Sequence, residues 1–544
     1  MTELRENPEH ERLFELPIGD VLCVAPAGCG KTTALAGRAR ALIARGEVAS
    51  PRRILALSFT NRAKSNLAAQ LRLVMGPRYW ERVAVTNFHG FAARIIQAHG
   101  SMIGVSRDIR LPERAWRSRV IREMNLSWDD RERLVSVLDE AKRSCLTDEE
   151  VLDRLESSGC KEAVLYEKTL RAEGRLDYED LLRYAEQLFG VEEVAALYGL
   201  HFAAVFVDEI QDLTMRQFRL AASLGDGKLT AAGDRAQGIY RFAGAEPHLV
   251  FDAIAARHPE LVEFARSYRS APIVLTAVNA LSREIGGTDL ECAHPDEWDD
   301  PGRVALLRRP TDQEEATALL ARIAGLMTSD PSATIGIIVR RSGRRAALTT
   351  EARLSTLDFE LWDDPTHHRT IVALMKKHLR EARESSNDAE TQLQVLHELC
   401  KVDIAPDDPE LLDDLASAAE SLHELLTEEP NLSEAVKRCR SAPLEDVPVP
   451  PGLHMLNGHL GKGLQFDWVV VMGLEDGFIP DFRELGTESG LEEELRVLHV
   501  MASRARKGLV FTVADAVQTR NGRLRPQQPS RWLPLVEPHV TEVW

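Results

Sequence analysis

Short apolar runs alternate with stretches of helical periodicity along most of the chain. Val21-Leu22-Cys23-Val24, Ile54-Leu55-Ala56-Leu57, Val83-Ala84-Val85, Ala204-Val205-Phe206-Val207 and Leu229-Thr230-Ala231-Ala232 read as buried strands. A second group follows: Val304-Ala305-Leu306-Leu307, Ile335 to Val339, Leu453-His454-Met455-Leu456, Trp468 to Val471 and Leu509 to Val513. Helical spacing runs from Thr33 through Ala44 and ends near Gly46, and it returns at Ala63, Leu67 and Leu71. From Arg94 to about Leu200 the pattern is helical without strand-like runs, with one helix starting in Leu176-Asp177-Tyr178-Glu179-Asp180-Leu181-Leu182. Leu411, Leu415, Leu422 and Leu426 fit an apolar helical face. Continuous apolar strands separated by helices predict an α/β fold with parallel sheets covered by helices.

The polar residues gather where the predicted strands end. After the first strand comes Ala25-Pro26-Ala27-Gly28-Cys29-Gly30-Lys31-Thr32, then the helix opening at Thr33. Small residues let backbone N–H groups turn inward around a polyphosphate, and a helix N-terminus adds positive potential there. In that setting Lys31 reaches the β and γ phosphates and the Thr32 hydroxyl ligates magnesium, with Ala25 standing where the usual pattern has glycine. The fourth strand delivers Asp208 and Glu209, suited to holding magnesium and to orienting and deprotonating an attacking water. The fifth runs into Gly233-Asp234-Arg235-Ala236-Gln237, where Gln237 can sense a γ-phosphate, and on to Tyr240 and Phe242, which offer stacking surfaces. Phe59 and Phe88, just past the second and third strands, are either core residues of the next helix or ligand-facing aromatics.

At 544 residues the chain is long enough for three or four compact units. No apolar run approaches a bilayer crossing and the N-terminus is charged, so a cytoplasmic protein without membrane contact is expected. Seven cysteines occur without any CxxC pair, which suggests neither a zinc site nor a disulfide framework. The net charge of -18 is concentrated: between Ser386 and Asp446 sixteen acidic residues face four basic ones, a balance of -12, leaving -6 elsewhere. Screening makes distant charges nearly irrelevant to a contact, so a local basic groove is compatible with this total.

Nine stretches, in order, resemble the motifs of superfamily 1 helicases of the UvrD/Rep/PcrA group. They are APAGCGKT, LSFTNRA, TNFHGFA, FVDEIQD, GDRAQGIYRFAGA, RSYRS (Arg266 to Ser270), NGHLGKGLQF (Asn457 to Phe466), EELRVLHVMASRAR (Glu493 to Arg506) and PSRWL (Pro529 to Leu533). The resemblance implies two RecA-like P-loop motor domains, each with a mainly helical insertion: residues 1–93 and 201–258 with insertion 94–200, and residues 259–385 and 447–544 with the short acidic insertion 386–446. It implies an ATP site walled by Lys31, Thr32, Asp208, Glu209 and Gln237, with Arg269 and Arg504 as arginine fingers and Tyr268 stacking on adenine. Phe59, Asn61, His89, Tyr240, Phe242 and His459 match positions that stack on bases or touch the DNA backbone. ATP and Mg2+ are the implied cofactors, and single-stranded DNA or a 3′-tailed duplex the implied partner.

Several positions depart from the family pattern. His10 stands where an adenine-reading glutamine belongs, which predicts relaxed preference for ATP. Gln465 replaces a glutamate near the ribose, Asn457 the motif threonine, and Ala243 an arginine used on DNA. Cys29 lies at a helix N-terminus, either as a thiol of lowered pKa open to redox control or as a small packing residue. Arg107, Arg110, Arg114, Arg117, Arg119 and Arg122 surround Trp116, either a phosphate-holding stripe with a base-stacking ring or a solvated face over a buried one. Asp363-Asp364 with His367-His368 reads as a loop rather than a metal cluster, and Glu475-Asp476-Gly477 as a turn after a strand.

The expected activity is therefore an ATP-dependent DNA helicase or translocase moving 3′ to 5′. The alternative is a DNA-stimulated ATPase that serves as sensor or regulatory subunit for a partner such as a nuclease, as in some phage-defence systems. The acidic insertion is expected to be a lid or a protein-docking surface rather than a DNA grip.

Overall fold

The computed structural model describes residues 7–106, 108–112, 114–241, 244–362, 366–367, 369–404, 411, 415, 418–419, 421–423, 425–426, 429, 431–441, 449–519 and 522–544. Among these, the residues within Met1–Thr86, Leu200–Asp363 and Val447–Trp544 form one compact unit, and those within Asn87–Gly199 and Asp364–Asp446 a second.

The first unit is built on two sheets. One contains β1 (Val21–Val24), β2 (Arg53–Ser58), β3 (Val83–Asn87), β4 (Phe202–Val207), β5 (Leu229–Gly233) and β6 (Glu260–Glu263), in the order β3-β2-β4-β5-β1-β6. The other contains β7 (Arg303–Thr311), β8 (Thr334–Val339), β9 (Phe359–Leu361), β10 (Gly452–Asn457), β11 (Phe466–Met472), β12 (Ala505–Gln518), β13 (Leu524–Pro526) and β14 (Glu542–Val543). Its order is β9-β10-β8-β11-β12-β7-β14, all pairings parallel, with β13 antiparallel on β12. Every apolar run expected to form a strand does so. β6, β9, β13 and β14 were not anticipated, because they are edge or short strands of mixed polarity.

Continuous apolar strands arise here because both faces of the second sheet are covered. Val469, Val471, Leu509, Phe511 and Val513 enter one core, while the intervening Val470, Met472 and Val510 enter the other. Ile239, from the segment after β5, is fully buried in the first of these cores with Leu464 and Val500. The two sheets therefore share packing, and side chains from both meet at the seam described below.

The second unit is mainly helical. Leu415 and Leu422 are buried in its core with Leu411 and Leu426 packed against it, as the helical spacing predicts. Trp116 is also a core residue: it packs against Tyr166 and its Nε1–H donates to Glu173 at 2.8 Å, so the base-stacking reading is overturned. Arg117 is likewise structural, paired with Asp139 at 3.1 Å and Asp177 at 3.5 Å. Arg107 and the side chains of Arg114 and Arg122 lie outside the described residues, as do Asp363, Asp364, His368 and the side chain of His367. Phe88 is fully buried as the first residue of the helix Phe88–His99, which decides its case in favour of the core. No helix among the described residues is long and apolar enough to cross a membrane.

Candidate active site

The loop Ala25 to Gly30 leaves β1 and enters the helix Lys31–Ala44 with Gly28 at φ 93° and Gly30 at φ 77°. Both glycines are required sterically as well. A Cβ on Gly28 would lie 2.9 Å from Arg269 Cβ and Ser267 Oγ, and one on Gly30 3.0 Å from the His10 ring. Arg38, fully buried on this helix, donates to the carbonyls of Leu13, Leu16 and Pro17 and to Thr230 Oγ1, at 2.7 to 3.0 Å. It thereby ties the helix Pro8–Glu15 to the loop and brings His10 over it. His10 Nε2 donates to the Cys29 carbonyl at 3.0 Å, and burial lowers its pKa.

Opposite the loop, Lys31 Nζ lies 2.5 Å from Glu209 and 3.4 Å from Asp208. Asp208 is buried at the end of β4, and Glu209 adopts the left-handed conformation at φ 57°, which turns its side chain back toward the loop. Burial opposes every charge here. It pushes Asp208 up, aided by adjacent Glu209, with Lys31 offsetting only part. For Glu209, burial is outweighed by Lys31, Lys462 and Gln211, which hold it at about 2. Lys31 is held above its ordinary value, because the two carboxylates outweigh its burial. This acidic pair thus accepts a cation. Asp208 at the end of β4 and the Thr32 hydroxyl are oxygen donors of the kind magnesium takes, together with substrate phosphates.

Of the two expected arginines, Arg269 packs against the loop and Arg504 reaches Gln237, in the segment after β5. Tyr268 N donates to Gly28 O at 2.9 Å, which seats Arg269 against the phosphate loop. Arg269 Nη1 donates to Ser503 O at 3.2 Å, while its buried Nε has no hydrogen-bond partner. Arg504 Nη2 donates to Gln237 Oε1 at 3.2 Å, and Gln237 Nε2 donates to Asp234 at 2.8 Å. Burial lowers Arg269 to about 10 and, with Arg269 adding repulsion, Arg504 to about 9. Two cationic side chains that converge, among the described residues, without carboxylate partners make a receptor for anionic charge.

Lys462 and Asp212 had no role assigned from sequence, although both lie inside quoted motifs. Lys462 Nζ lies 2.6 and 2.7 Å from the Asp212 carboxylate oxygens, donates to Gln237 O at 2.8 Å and sits 4.8 Å over the Tyr240 ring. Tyr240 continues toward Phe59, with ring centroids 5.7 Å apart, and toward His459 at 6.5 Å. Burial with Arg340 and Lys462 nearby lowers His459 to about 4, so it is a neutral ring at physiological pH. Phe59 is half-buried.

The remaining expected site residues divide. Thr33 Oγ1 is committed to Gln70 at 3.3 Å, and Gln465 is exposed just before β11. Tyr268 opens onto a cavity of about 250 Å³ that Ser267, His294, Trp298 and Arg506 also line. His89 belongs to the second unit, edge-on to Tyr178 at 6.0 Å. Phe242, Ala243 and the side chain of Asn61 lie outside the described residues. Of the two readings of Cys29 the packing one holds: it is fully buried, and burial raises its thiol well above the ordinary value, so the helix N-terminus does not make it reactive.

Two family models match the chain, the UvrD/REP helicase N-terminal domain over residues 6–256 and the UvrD-like helicase C-terminal domain over residues 362–516. Among curated relatives, the ATP-dependent DNA helicase UvrD2 of Mycobacterium bovis is 28% identical, over 96% of this chain and 80% of the relative. The ATP-dependent DNA helicases PcrA of Leuconostoc citreum and Bacillus subtilis are 24% and 23% identical, over 98% of this chain and 85% and 86% of theirs.

Proposed function

We propose, because this chain belongs to the UvrD/REP family of superfamily 1A helicases, that it is an ATP-dependent DNA helicase translocating 3′ to 5′ along one strand. The observation that carries the reading is the convergence of Arg269 and Arg504 on the lobe that holds Lys31, through Gly28 and Gln237. In this reading residues 1–93 and 201–258 form the first motor domain and 259–385 with 447–544 the second. Residues 94–200 and 386–446 are their insertions.

The triphosphate binds along the backbone N–H groups of Gly28 to Thr32, at the N-terminus of the helix Lys31–Ala44. Thr32 and Asp208 would hold a magnesium ion, which would supply positive charge to the bound triphosphate. Glu209, ionised across the physiological range, orients and deprotonates the attacking water. Arg269 and Arg504 stabilise the charge that develops on the transferred phosphoryl group. Gln237 links hydrolysis to movement, because its segment carries Tyr240 three residues on. A shift of Gln237 as the γ-phosphate leaves is passed to the aromatic row of Phe59, Tyr240 and His459, where bases stack without regard to sequence.

The deciding experiment measures ATP hydrolysis with and without single-stranded DNA, and unwinding of duplexes bearing 3′ or 5′ tails. Stimulation by DNA with displacement from the 3′-tailed duplex is expected. DNA-independent turnover, or displacement only from the 5′-tailed duplex, overturns the proposal.

A further inference from the structure

Two residues of the helix Glu488–Ala502, which runs through Ser503 and Arg504 into β12, reach the segments that follow β5. Arg496 and His499 stand three positions apart and so share one helix face. Arg496 Nη2 donates to His248 Nε2 at 3.0 Å, on the helix Pro247–Ala255. His499, buried one turn further on, places Nδ1 3.3 Å from the Ala236 carbonyl. A carbonyl only accepts, so Nδ1 carries the proton. Burial holds the ring neutral.

Ala236 and Gln237 are consecutive, and three side chains from elements of the second sheet grip them. His499 takes the Ala236 carbonyl, Lys462 the Gln237 carbonyl at 2.8 Å, and Arg504 the Gln237 side-chain oxygen at 3.2 Å. His499 and Arg504 act from one support, because Arg504 Nε donates at 2.9 Å to the carbonyl of Val500, the residue next to His499. In the helicase reading Arg504 answers to the γ-phosphate, so its bond to Gln237 is remade during turnover. The bond from His499 goes to the main chain, where no phosphate competes. Packing alone does not call for an imidazole here: the neighbouring Leu498, Val500 and Met501 are apolar and fully buried.

Resting on that reading, we propose that His499 is a positioning residue for ATP hydrolysis. By holding the Ala236 carbonyl from the support that anchors the Arg504 guanidinium, it keeps Gln237 opposite Arg504 through the cycle.

The test measures steady-state ATP turnover of the full chain with single-stranded DNA for His499→Phe, His499→Asn and His499→Gln, each also in a Gln237→Ala background. The asparagine amide puts an N–H near the place of Nδ1, the glutamine amide one near Nε2. His499→Phe is expected to lower kcat about tenfold with KM for ATP unchanged, the worth of one hydrogen bond. His499→Asn is expected to recover most of the loss and His499→Gln little. In the Gln237→Ala background each change is expected to cost less than about twofold, since the residue through which His499 acts is gone. An undiminished kcat, equal losses in all three variants, or a loss as large without Gln237 overturns this role alone. A wild type whose turnover single-stranded DNA fails to stimulate overturns the helicase reading and this role with it.

Discussion

Arg504 donates to the side-chain oxygen of Gln237 at 3.2 Å, joining the residue before β12 to the segment after β5. Among the described residues neither Arg504 nor its neighbour Arg269 is paired with a carboxylate, and burial lowers both. Holding two guanidinium groups in this way costs stability that a bound triphosphate returns. Arg504→Met keeps the apolar stem and removes the charge. It is expected to lower kcat about 10³-fold or more. A non-hydrolysable ATP analogue should then raise Tm much less than in the wild type, while the nucleotide-free Tm stays level or rises. A preserved analogue-induced shift would show that Arg504 does not face the phosphates.

His10 uses Nε2–H on the Cys29 carbonyl, leaving Nδ1 as its one further polar atom, an acceptor. A glutamine amide offers donor and acceptor together, which is what distinguishes adenine from other bases at this position. The ratio of kcat/KM for ATP over GTP is therefore expected to be small in the wild type. His10→Gln is expected to raise it about tenfold, the worth of one well-formed hydrogen bond. Parallel steady-state measurements with ATP, GTP and UTP check this, and a strong ATP preference in the wild type refutes it.

Asp212 gives the site a pH dependence. Burial raises its carboxyl to about 6 despite the partnership with Lys462. Because the folded value exceeds the ordinary 3.8, the folded state binds this proton more tightly. Its contribution to stability is largest below about pH 4, falls as pH rises to about 6 and is constant above that. Activity runs the other way, since protonation removes the charge that holds Lys462 under Tyr240. DNA-stimulated ATP turnover is expected to fall below about pH 6 in the wild type, and Asp212→Asn to be depressed at all pH values without that limb. An unchanged acid limb in the variant would assign it to another group.

What could be read from the chain before its fold follows from where the chemistry sits. The phosphate loop, Asp208, Glu209 and Gln237 directly follow apolar runs, so chain-local patterns pick them out, whereas Arg269 and Arg504 came from the family resemblance alone. Trp116 stayed open between two readings because an aromatic among arginines looks the same whether its ring faces solvent or Tyr166. Cys29 stayed open between two readings because the helix N-terminus is visible in sequence, whereas the burial that outweighs it is set by distant segments. Glu475 read as a turn residue, yet it is fully buried against Arg344, more than a hundred positions earlier in the chain. Lys462 with Asp212 was hidden for the same reason, since each partner lies in a different lobe's motif. Pairing across long sequence separation leaves no local periodicity to detect.

Arg344 is the clearest case in which such a hidden pairing determines stability. It sits just past β8, fully buried, with Nη1 2.7 Å from Glu315 and Nη2 2.8 Å from Glu475. Glu475 also accepts from Ala514 N at 2.7 Å, so the cluster ties β8 and β11 to β12. Burial already raises Glu315, and Arg344 only partly offsets it. Arg344→Met would strand two carboxylates in the interior, at a cost of about 3–5 kcal/mol. The stranded acids would then have folded pKa values above their unfolded ones, so the variant's stability is expected to rise as pH falls. Urea unfolding at pH 8 and pH 5.5 measures this as a narrowing gap to the wild type. Combining Arg344→Met with Glu315→Gln and Glu475→Gln removes both stranded charges, and it is expected to recover a large part of the loss at pH 8. Equal destabilisation at the two pH values, or no recovery in the triple variant, would mean that the cost comes from packing around Arg344 rather than from its charge.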